Sequence, residues 1–398
     1  MITNQMRRYL EQSSWIRRMF EVGLELKREH GADRVFDFSL GNPDLPPPPG
    51  VAATLRQAAE RAERPLAFGY VPNAGLPELR EALARRLAVE QQVDLPASHT
   101  VITCGAAGAL NTLFRSILEP GDEVLCPAPF FVEYTFYAEN HGGVLRTVDT
   151  SHNGFQLEPA AIEAAVTPRT RAVILNSPHN PTGQIYPPET IEALAGVLRR
   201  ASRGRAQPIL LVADEPYRFL TYDGHTVAPV LCAYPDSVIA GSCSKSLSLA
   251  GERVGYLAVS PAMQAADELL AGVTLANRIL GFVNAPVIGQ RILLAALDSG
   301  VEVGVYETRR RAMAAVLRAA DIEFVMPRGA FYVFPRAPGG DDAAFVDLLR
   351  DERILAVPGR GFGTPGFFRL AFCVDEAVIR AAAEGFRRAA RRAAAPPT

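Results

Sequence analysis

Apolar segments with the length of buried strands alternate with helical segments through the middle of the chain, and this alternation constrains the fold most. The strand-like segments span residues 100–103, 124–126, 172–175, 209–213, 238–240 and 256–259. Helical patterns separate them, for example at residues 107–118 and 188–200. Apolar strands separated by helices are typical of a mostly parallel sheet that is covered on both faces. The pattern therefore predicts an α/β fold.

The order of elements changes near residue 289. Long helical patterns at 289–297 and 306–320 are followed by short strands and a last helix from Asp375; the strands are expected at 323–326, 331–334 and 367–372. This order predicts a second, smaller α+β domain, and at roughly 100–200 residues per domain the 398 residues accommodate it. We predict three regions: an N-terminal helix and arm that form part of the small domain (1–45), a large domain that contains the sheet (46–288) and a small C-terminal domain (289–398).

The composition excludes several classes of protein. With 48% hydrophobic and 21% charged residues the chain resembles an ordinary globular protein, and its formal net charge of −2 provides no basic excess for nucleic acid or an acidic membrane. No apolar run approaches the roughly 18 residues of a membrane span, and the first ten residues lack the apolar core of a signal peptide. The five cysteines are far apart, and neither CxxC nor HExxH spacing occurs. We expect a cytoplasmic protein with no metal, nucleic-acid or membrane partner.

Lysine is very rare in this chain. Of 41 basic residues only Lys27 and Lys245 are lysines. Lys27 lies near the end of a predicted N-terminal helix, where a solvated cation stabilises the helix dipole. Chemistry that needs a primary amine therefore points to Lys245.

Polar residues follow directly after four of the predicted strands. Gly105, Asn180, Asp214 and Lys245 come after the strands at 100–103, 172–175, 209–213 and 238–240. Because ligands bind outside the carboxyl ends of parallel strands, these residues are expected to share one site. A reactive lysine forms Schiff bases with carbonyls, and its commonest partner in an α/β enzyme is pyridoxal phosphate.

Pyridoxal phosphate also needs an acid beside its ring nitrogen and a cradle for its phosphate. Asp214 supplies an acid, and Gly105-Ala106-Ala107 opens a helix directly after a strand, where backbone N–H groups can approach a phosphate. The side chains that bracket the lysine and could complete this cradle are Ser242, Ser244 and Arg253. Each feature has a simpler interpretation when taken alone: tight packing at Gly105, a helix cap at Asp214 or a turn at Asn180-Pro181.

Several motifs together resemble the class I and II aminotransferases, the aspartate aminotransferase-like enzymes of pyridoxal-phosphate fold type I. The resemblance spans nearly the whole chain and rests on motifs in the order Tyr70, Asn73-Ala74-Gly75 with Leu79-Arg80, Asn176-Ser177-Pro178-His179-Asn180-Pro181-Thr182-Gly183, Asp214-Glu215-Pro216-Tyr217, Ser242-Cys243-Ser244-Lys245 with Gly251-Glu252-Arg253-Val254-Gly255, and Phe367-Phe368-Arg369-Leu370. It implies a large domain with a mostly parallel seven-stranded sheet between helices, and a smaller α+β domain.

The resemblance assigns cofactor roles to individual residues. Lys245 would hold pyridoxal 5′-phosphate as an internal aldimine and, once displaced, would carry the proton between the substrate Cα and the cofactor C4′. Asp214 would keep the ring nitrogen protonated, and Asn180 and Tyr217 would donate hydrogen bonds to the phenolic oxygen. Phe131 would stack on the ring.

The phosphate would be bound by the turn after Gly105, with the backbone of Ala106 and Ala107 and the side chains of Ser242, Ser244 and Arg253. Tyr70 would reach this phosphate from a second subunit, so the resemblance also implies a homodimer with composite active sites.

Substrate residues follow from the same resemblance. Arg369 would grip the α-carboxylate with its planar guanidinium, helped by the backbone of Gly41 and by Asn180. Arg278 lies near where some relatives place a cation for a second carboxylate, although a surface arginine is an equally good interpretation. The neighbouring Ile279 and Phe282 would equally suit a hydrophobic substrate side chain.

The implied reaction moves an amino group between an L-amino acid, aspartate among others, and a 2-oxo acid by way of an external aldimine, a quinonoid and pyridoxamine phosphate. Related enzymes with the same site residues catalyse elimination, replacement, cyclisation, decarboxylation or oxidation, and the residues do not separate these reactions. A binding protein on an inactive scaffold would be expected to have lost Lys245 or Asp214. The glycines of Gly359-Arg360-Gly361-Phe362-Gly363 open no helix and do not fit a dinucleotide loop.

Overall fold

A computed structural model describes residues 1–12 and 14–394 of the chain. The end of the predicted small domain, residues 395–398, lies outside the described residues. The helices are α1 (Asn4–Gln12), α2 (Ser14–His30), α3 (Pro49–Glu60), α4 (Pro77–Gln91), α5 (Gly105–Ile117), α6 (Glu133–Glu139), α7 (Pro159–Ala165), α8 (Pro188–Ala201), α9 (Cys243–Ser246), α10 (Ala266–Ile279), α11 (Val287–Ala296), α12 (Val303–Ala319), α13 (Asp342–Asp351), α14 (Glu376–Ala381) and α15 (Ala383–Ala394).

The strands are β1 (Phe36–Asp37), β2 (Thr100–Thr103), β3 (Glu123–Ala128), β4 (Val144–Asp149), β5 (Thr170–Asn176), β6 (Leu210–Asp214), β7 (Ser237–Ser242), β8 (Gly255–Val259), β9 (Tyr332–Val333), β10 (Ile354–Leu355), β11 (Val357–Pro358) and β12 (Phe368–Ala371). The central sheet has seven strands in the order β2-β8-β7-β6-β5-β3-β4. Its pairs are parallel except those of β8, which runs antiparallel to both β2 and β7. The predicted α/β fold with a mostly parallel seven-stranded sheet is confirmed.

Alternate residues of the central strands enter hydrophobic clusters on opposite faces of the sheet. Val124 belongs to one cluster and Leu125 to the other, as do Val212 and Leu211 on β6. Because successive side chains of a strand point to opposite faces, both faces of the sheet are covered by helices. This burial explains why the strands read as continuous apolar runs in the sequence.

Strand β4 is the strand of this sheet that the apolar pattern missed. It lies at the sheet edge and leaves Val144 and most of its other side chains partly or fully exposed. An edge strand with one covered face needs fewer apolar residues, so its sequence lacks the signal of its neighbours.

A third hydrophobic cluster unites the C-terminal elements with segments from elsewhere in the chain. It contains Phe331, Phe345, Phe368 and Phe386 together with Phe38 from the N-terminal region. Strand β1 also pairs in parallel with β10. The N-terminal arm therefore packs with the C-terminal elements, while the domain boundaries at residues 45 and 288 stay a prediction.

Two details of the C-terminal region differ from the sequence expectation. Residues 323–326 form no strand, and the expected final helix is divided into α14 and α15. The carbonyl of Glu323 accepts a hydrogen bond from the Arg336 amide at 2.9 Å, so the segment is held by isolated contacts instead of a ladder. Within residues 1–12 and 14–394, every helix is too short or too polar to cross a membrane.

Gly255 at the start of β8 allows this strand to approach the first turn of α5. A Cβ atom at Gly255 would lie 2.4 Å from the carbonyl carbon of Gly105 and 2.6 Å from the amide nitrogen of Ala106. Real Cβ contacts are longer, and both neighbours are backbone atoms. The beginning of α5 is therefore positioned by the absence of a side chain on β8.

We predict that Gly255→Ala displaces the start of α5, lowers the free energy of unfolding by about 1–3 kcal/mol and weakens cofactor binding. Denaturant unfolding and cofactor titration measure the two effects. Gly251→Ala is the matched control, because a Cβ there meets nothing within 4 Å. Equal effects of the two substitutions would contradict this explanation of Gly255.

Candidate active site

One cavity opens at the carboxyl ends of the central strands and receives most of the predicted site residues. It is lined by Gly41, Ala106, Ala107, Phe131, Asn180, Asp214, Tyr217, Ser242, Ser244, Lys245, Arg253 and Arg369. Gly105 lies directly beside it, at the first position of α5. The predicted convergence on one sheet edge is therefore present in the fold.

Lys245 projects into this cavity from α9, a short helix that follows β7. The Ser242 side chain caps α9 by accepting a hydrogen bond from the Ser244 amide at 3.0 Å. Lys245 Nζ donates to the Gly41 carbonyl at 2.6 Å and lies 5.8 Å from the centre of the Phe331 ring. Burial lowers the pKa of Lys245 to about 8, and the positive charges of Arg369 and Arg253 act in the same direction. The amine is therefore neutral at lower pH than an exposed lysine.

Asp214 ends β6 at the floor of the cavity, and its two carboxylate oxygens have different surroundings. Oδ2 accepts a hydrogen bond from the Tyr134 hydroxyl at 2.5 Å, whereas Oδ1 is buried and has no hydrogen-bond partner. Burial raises the pKa of Asp214 to about 7, although the Tyr134 hydrogen bond opposes the shift. A buried acceptor without a partner is costly, so Oδ1 is suited to a donor that a ligand provides.

Tyr134 was not identified from the sequence. It lies on α6, and its ring packs edge-on against Phe131 with the ring centres 5.5 Å apart. The available signal was the spacing of three residues between the aromatic Phe131 and Tyr134, which the structure places in a turn where the Tyr134 amide donates to the Phe131 carbonyl at 3.0 Å. Nothing in that spacing identifies Asp214 as the hydrogen-bond partner.

Two asparagines connect β5 to the cavity floor. Asn176 Nδ2 donates to the Asp214 carbonyl at 2.8 Å, and Asn176 Oδ1 accepts from the Asn180 amide at 2.6 Å. Asn180 Oδ1 in turn accepts from Arg369 Nη1 at 3.2 Å. These contacts orient the Asn180 side chain toward the cavity and tie it to both Asp214 and Arg369.

Tyr217 and Tyr332 also line the cavity, where they form a buried hydroxyl pair. Their hydroxyl oxygens are 2.8 Å apart, and Tyr332 was not identified from the sequence. The Tyr332 ring also explains the glycine at position 41, because a Cβ there would lie 1.9 Å from the Tyr332 hydroxyl oxygen. Gly41 therefore permits close approach of the N-terminal arm to this pair.

The first turn of α5 and three side chains from the β7–β8 connection form a compact group of anion-binding donors. Gly105 has φ +72°, and a Cβ there would lie 2.8 Å from Arg253 Nη2. Ser242 Oγ donates to Ser244 Oγ at 2.7 Å beside the same turn. A helix N-terminus, two hydroxyls and a guanidinium together match the donors that bind a phosphate.

Arg369 extends from β12 into the cavity and is almost fully buried, with 3% of its surface exposed. Its guanidinium lies between the rings of Tyr332 and Phe362, with its central carbon 4.9 Å and 4.8 Å from their centres. Nη2 donates to the Ser39 carbonyl at 2.5 Å, and Nε is buried without a partner. No carboxylate among the described residues forms an ion pair with it. The charge of Arg369 is therefore available to an anionic ligand.

Two of the predicted residues lie outside the cavity of their own chain. Tyr70 is 90% exposed, and Arg278 on α10 lines a separate surface depression with Asn73 and Arg80. The predicted role of Tyr70 in a second subunit and that of Arg278 in substrate binding stay predictions.

The residues present fit pyridoxal phosphate. The partnerless Oδ1 of Asp214 suits a protonated ring nitrogen, and the Gly105 turn with Arg253 suits a phosphate. Lys245 supplies a buried primary amine within the same cavity. These are the separate demands that the cofactor makes on a protein.

The raised carboxyl pKa values predict how the stability of the cofactor-free protein depends on pH. Burial raises the pKa of Asp214 from 3.8 to about 7, so between these values the folded protein binds more protons than the unfolded chain. The contribution of Asp214 to stability should therefore fall as pH rises from 4 to 7. Burial raises the pKa of Glu215 to about 7, so Glu215 contributes in the same direction. Burial lowers the pKa of His179 to about 3, so His179 contributes in the opposite direction between about pH 3 and 6.5.

We predict that Asp214→Asn reduces the fall in the free energy of unfolding between pH 4.5 and 7.5. The reduction should be on the order of 3 kcal/mol at most. Unfolding midpoints of the cofactor-free protein between pH 4.5 and 7.5 measure it, with Asp298→Asn at an exposed position as control. Parallel pH curves for the Asp214→Asn variant and the parent protein would contradict the prediction.

Comparisons with known proteins agree with this geometry. The family model for aminotransferase class I and II matches residues 33–386. The chain is 34% identical to the aspartate/prephenate aminotransferase of Thermus thermophilus over 93% of this chain and 94% of that relative. It is 33% identical to the aspartate aminotransferase of Geobacillus stearothermophilus, covering 89% of this chain and 91% of that one.

Solved structures show the same similarity. An aminotransferase from Eubacterium rectale superposes with a TM-score of 0.93 at 34% identity, covering 98% of this chain and 99% of that one. The aspartate aminotransferase from Thermus thermophilus with maleate superposes with a TM-score of 0.85 at 30% identity, covering 94% and 96%. The chain therefore belongs to the class I and II aminotransferases, enzymes that use pyridoxal 5′-phosphate and act on amino acids and 2-oxo acids.

Proposed function

We propose that this aminotransferase works as a homodimer in which Lys245, Asp214 and Tyr217 act on the cofactor and Arg369 binds the substrate α-carboxylate. One observation carries the proposal. Among the described residues, the same cavity is lined by a partly buried amine, a buried carboxylate oxygen without a hydrogen-bond partner and a buried guanidinium without an ion pair. Burying three such groups together is unfavourable unless a ligand completes them.

Lys245 is assigned both the covalent link and the proton transfer. Bound pyridoxal phosphate supplies an aldehyde that links to a primary amine and a ring that accepts electrons from the substrate Cα. Because burial lowers the pKa of Lys245 to about 8, part of the amine is neutral near neutral pH and can bond to the aldehyde. The same nitrogen, once released, removes the proton from the substrate Cα.

Asp214 is assigned to the ring nitrogen. Its Oδ1 has no protein partner, while Tyr134 holds Oδ2 at 2.5 Å and fixes the orientation of the carboxylate. A carboxylate in this position raises the pKa of a neighbouring ring nitrogen and keeps it protonated. Asn180 and Tyr217 line the same cavity and are assigned to the phenolic oxygen, and Phe131 to the ring face.

The phosphate is assigned to the first turn of α5 and the β7–β8 connection. The backbone amides of Ala106 and Ala107 open the helix, and the other donors are Ser242, Ser244 and Arg253. Positive helix ends and arginine both favour a doubly charged phosphate.

Arg369 is assigned to the α-carboxylate of the amino acid and of the 2-oxo acid. Asn180 and the Ser39 carbonyl hold its two terminal nitrogens, and the rings of Tyr332 and Phe362 flank its plane. A guanidinium fixed in this way loses little freedom on binding a carboxylate. The Gly41 backbone lies in the same cavity and is assigned to the same carboxylate.

An exposed apolar surface supports the homodimer. Leu66, Phe68 and Tyr70 are 88%, 48% and 90% exposed, and Ile279 and Phe282 are also exposed. Exposed large apolar side chains in such number are typical of association surfaces. We assign Tyr70 to the phosphate of the partner subunit, which makes each active site composite.

The names of two relatives include aspartate, which is therefore one of the amino donors to test. An enzyme that prefers aspartate would point to Arg278 as the cation for the second carboxylate, whereas an enzyme that disfavours aspartate leaves Arg278 as a surface arginine. The cytoplasmic location expected from the sequence stays a prediction.

Single-turnover spectroscopy of the holoenzyme tests the reaction. Addition of an amino acid without an acceptor should change the absorbance of the bound cofactor and release a stoichiometric amount of 2-oxo acid. Release of ammonia or peroxide instead would contradict amino transfer.

We predict that Lys245→Ala abolishes the cofactor absorbance that borohydride otherwise fixes to one peptide, because no other amine of the described residues lines the cavity. Lys27→Ala is the matched control, because Lys27 lies away from the cavity. Its Nζ forms an ion pair with Asp37 Oδ2 at a distance of 2.7 Å. Asp214→Ala should retain the covalent link but slow Cα proton removal by roughly 100-fold or more. A variant at Asp214 as fast as the parent would show that this carboxylate is not needed.

We predict that mixed dimers of Lys245→Ala and Tyr70→Ala subunits regain activity at limiting cofactor, although each variant alone is defective. In a composite dimer one of the two sites then contains both native residues. Co-purification with two affinity tags and activity assays measure this. Absence of recovery would place Tyr70 in the site of its own chain or outside both sites.

A further inference from the structure

A second carboxyl group lines the cavity and has no task in the proposed function. Glu133 lies two residues after Phe131, at the first position of α6. The proposed function uses Asp214 for the ring nitrogen and leaves Glu133 unassigned. A charged residue in a buried ligand cavity is costly, so its presence needs an explanation.

The position of Glu133 is fixed by the contacts of its helix. The next residue, Tyr134, is bound to Asp214 through its hydroxyl, and Phe136 packs against Tyr9 with the ring centres 4.6 Å apart. The backbone of Glu133 is therefore anchored directly beside a residue that is bound to Asp214.

One oxygen of the Glu133 carboxylate is unused. Oε2 is buried and forms no hydrogen bond with any of the described residues. Burial raises the pKa of this carboxyl group, and the charge of Arg369 opposes that shift. Glu133 therefore offers a ligand one unused acceptor in the electrostatic field of the residue assigned to the α-carboxylate.

The cationic side chains that line the cavity are already assigned to other ligand groups. Lys245, Arg253 and Arg369 are assigned to the aldehyde, the phosphate and the α-carboxylate, and none of the described residues forms an ion pair with Glu133. A second carboxylate on the substrate would meet Glu133 without a lining cation of the same chain to neutralise either charge. An alkyl side chain would leave Oε2 without a partner, and a buried acceptor without a partner is unfavourable. A hydrogen-bond donor on the substrate side chain satisfies this oxygen.

We propose that Glu133 determines substrate specificity by accepting a hydrogen bond from an N–H or O–H group on the substrate side chain. The preferred amino acids then carry an amide, hydroxyl or amine, and dicarboxylic amino acids are disfavoured. This inference rests on the proposed function, because the α-carboxylate must lie on Arg369 for the side chain to reach Glu133.

Isosteric substrates test the proposal on the holoenzyme. The values of kcat/KM are measured for asparagine, aspartate and leucine, and for glutamine and glutamate, with one common 2-oxo acid. An amide should exceed its dicarboxylic and alkyl counterparts by about 10-fold or more, because a hydrogen bond to a charged group contributes about 1.5–3 kcal/mol.

Two substitutions separate the acceptor from the charge. Glu133→Ala should lower the ratio of asparagine to leucine about 10-fold, chiefly through KM for asparagine. Glu133→Gln retains an acceptor oxygen and should keep much of this ratio while raising kcat/KM for aspartate and glutamate. Glu139→Gln, at the other end of α6 and outside the cavity lining, is the matched control and should leave the ratios unchanged. Cofactor absorbance reports loading in every variant.

The outcomes distinguish this inference from the proposed function. A parent enzyme that prefers aspartate or glutamate, or ratios that do not change in loaded Glu133→Ala and Glu133→Gln variants, would overturn the role of Glu133 while amino transfer stands. Failure of every amino acid to release a 2-oxo acid from loaded parent enzyme would instead overturn the proposed function, and the specificity argument with it.

Discussion

The structure depends on the constraint that parallel strands buried on both faces must end at a common edge. The backbone N–H and C=O groups of these strands are hydrogen-bonded to neighbouring strands, and their side chains are apolar. Polar side chains therefore first appear where the strands end. Asp214 is the last residue of β6, and Lys245 follows β7 by three positions. The same burial that stabilises the sheet gives these groups their altered acidity: it raises the pKa of Asp214 to about 7 and lowers that of Lys245 to about 8.

The central sheet alone does not complete the site. Arg369 comes from β12 in the C-terminal region and is held by the Ser39 carbonyl of the N-terminal arm and by Asn180 after β5. Lys245 in turn donates to the Gly41 carbonyl of the same arm. Three distant parts of the chain thus meet around one cavity, and a shift of the arm would disturb both the amine and the guanidinium.

Partnerless buried atoms mark where ligands belong in this cavity. Asp214 Oδ1, Arg369 Nε and Glu133 Oε2 are each buried without a hydrogen bond. Folded proteins satisfy nearly all such groups, so a concentration of them in one cavity indicates that ligand atoms complete the set. The proposed function assigns the first two to the cofactor ring nitrogen and the substrate α-carboxylate, whereas Glu133 is the feature through which we propose that this enzyme differs from relatives named for aspartate.

The sequence by itself determined the α/β class, the parallel sheet and the convergence of Lys245, Asp214 and Asn180, because apolar runs and the polar residues that follow them are local features of the chain. Motifs of fixed spacing also pointed to Arg369 and to the turn at Gly105, which the proposed function assigns to the α-carboxylate and the phosphate. Only the tertiary structure revealed Tyr134 on Asp214, Tyr332 on Tyr217 and the unused oxygen of Glu133. These contacts join residues that are distant in sequence or depend on which way a side chain points, and periodicity and spacing carry no information about either.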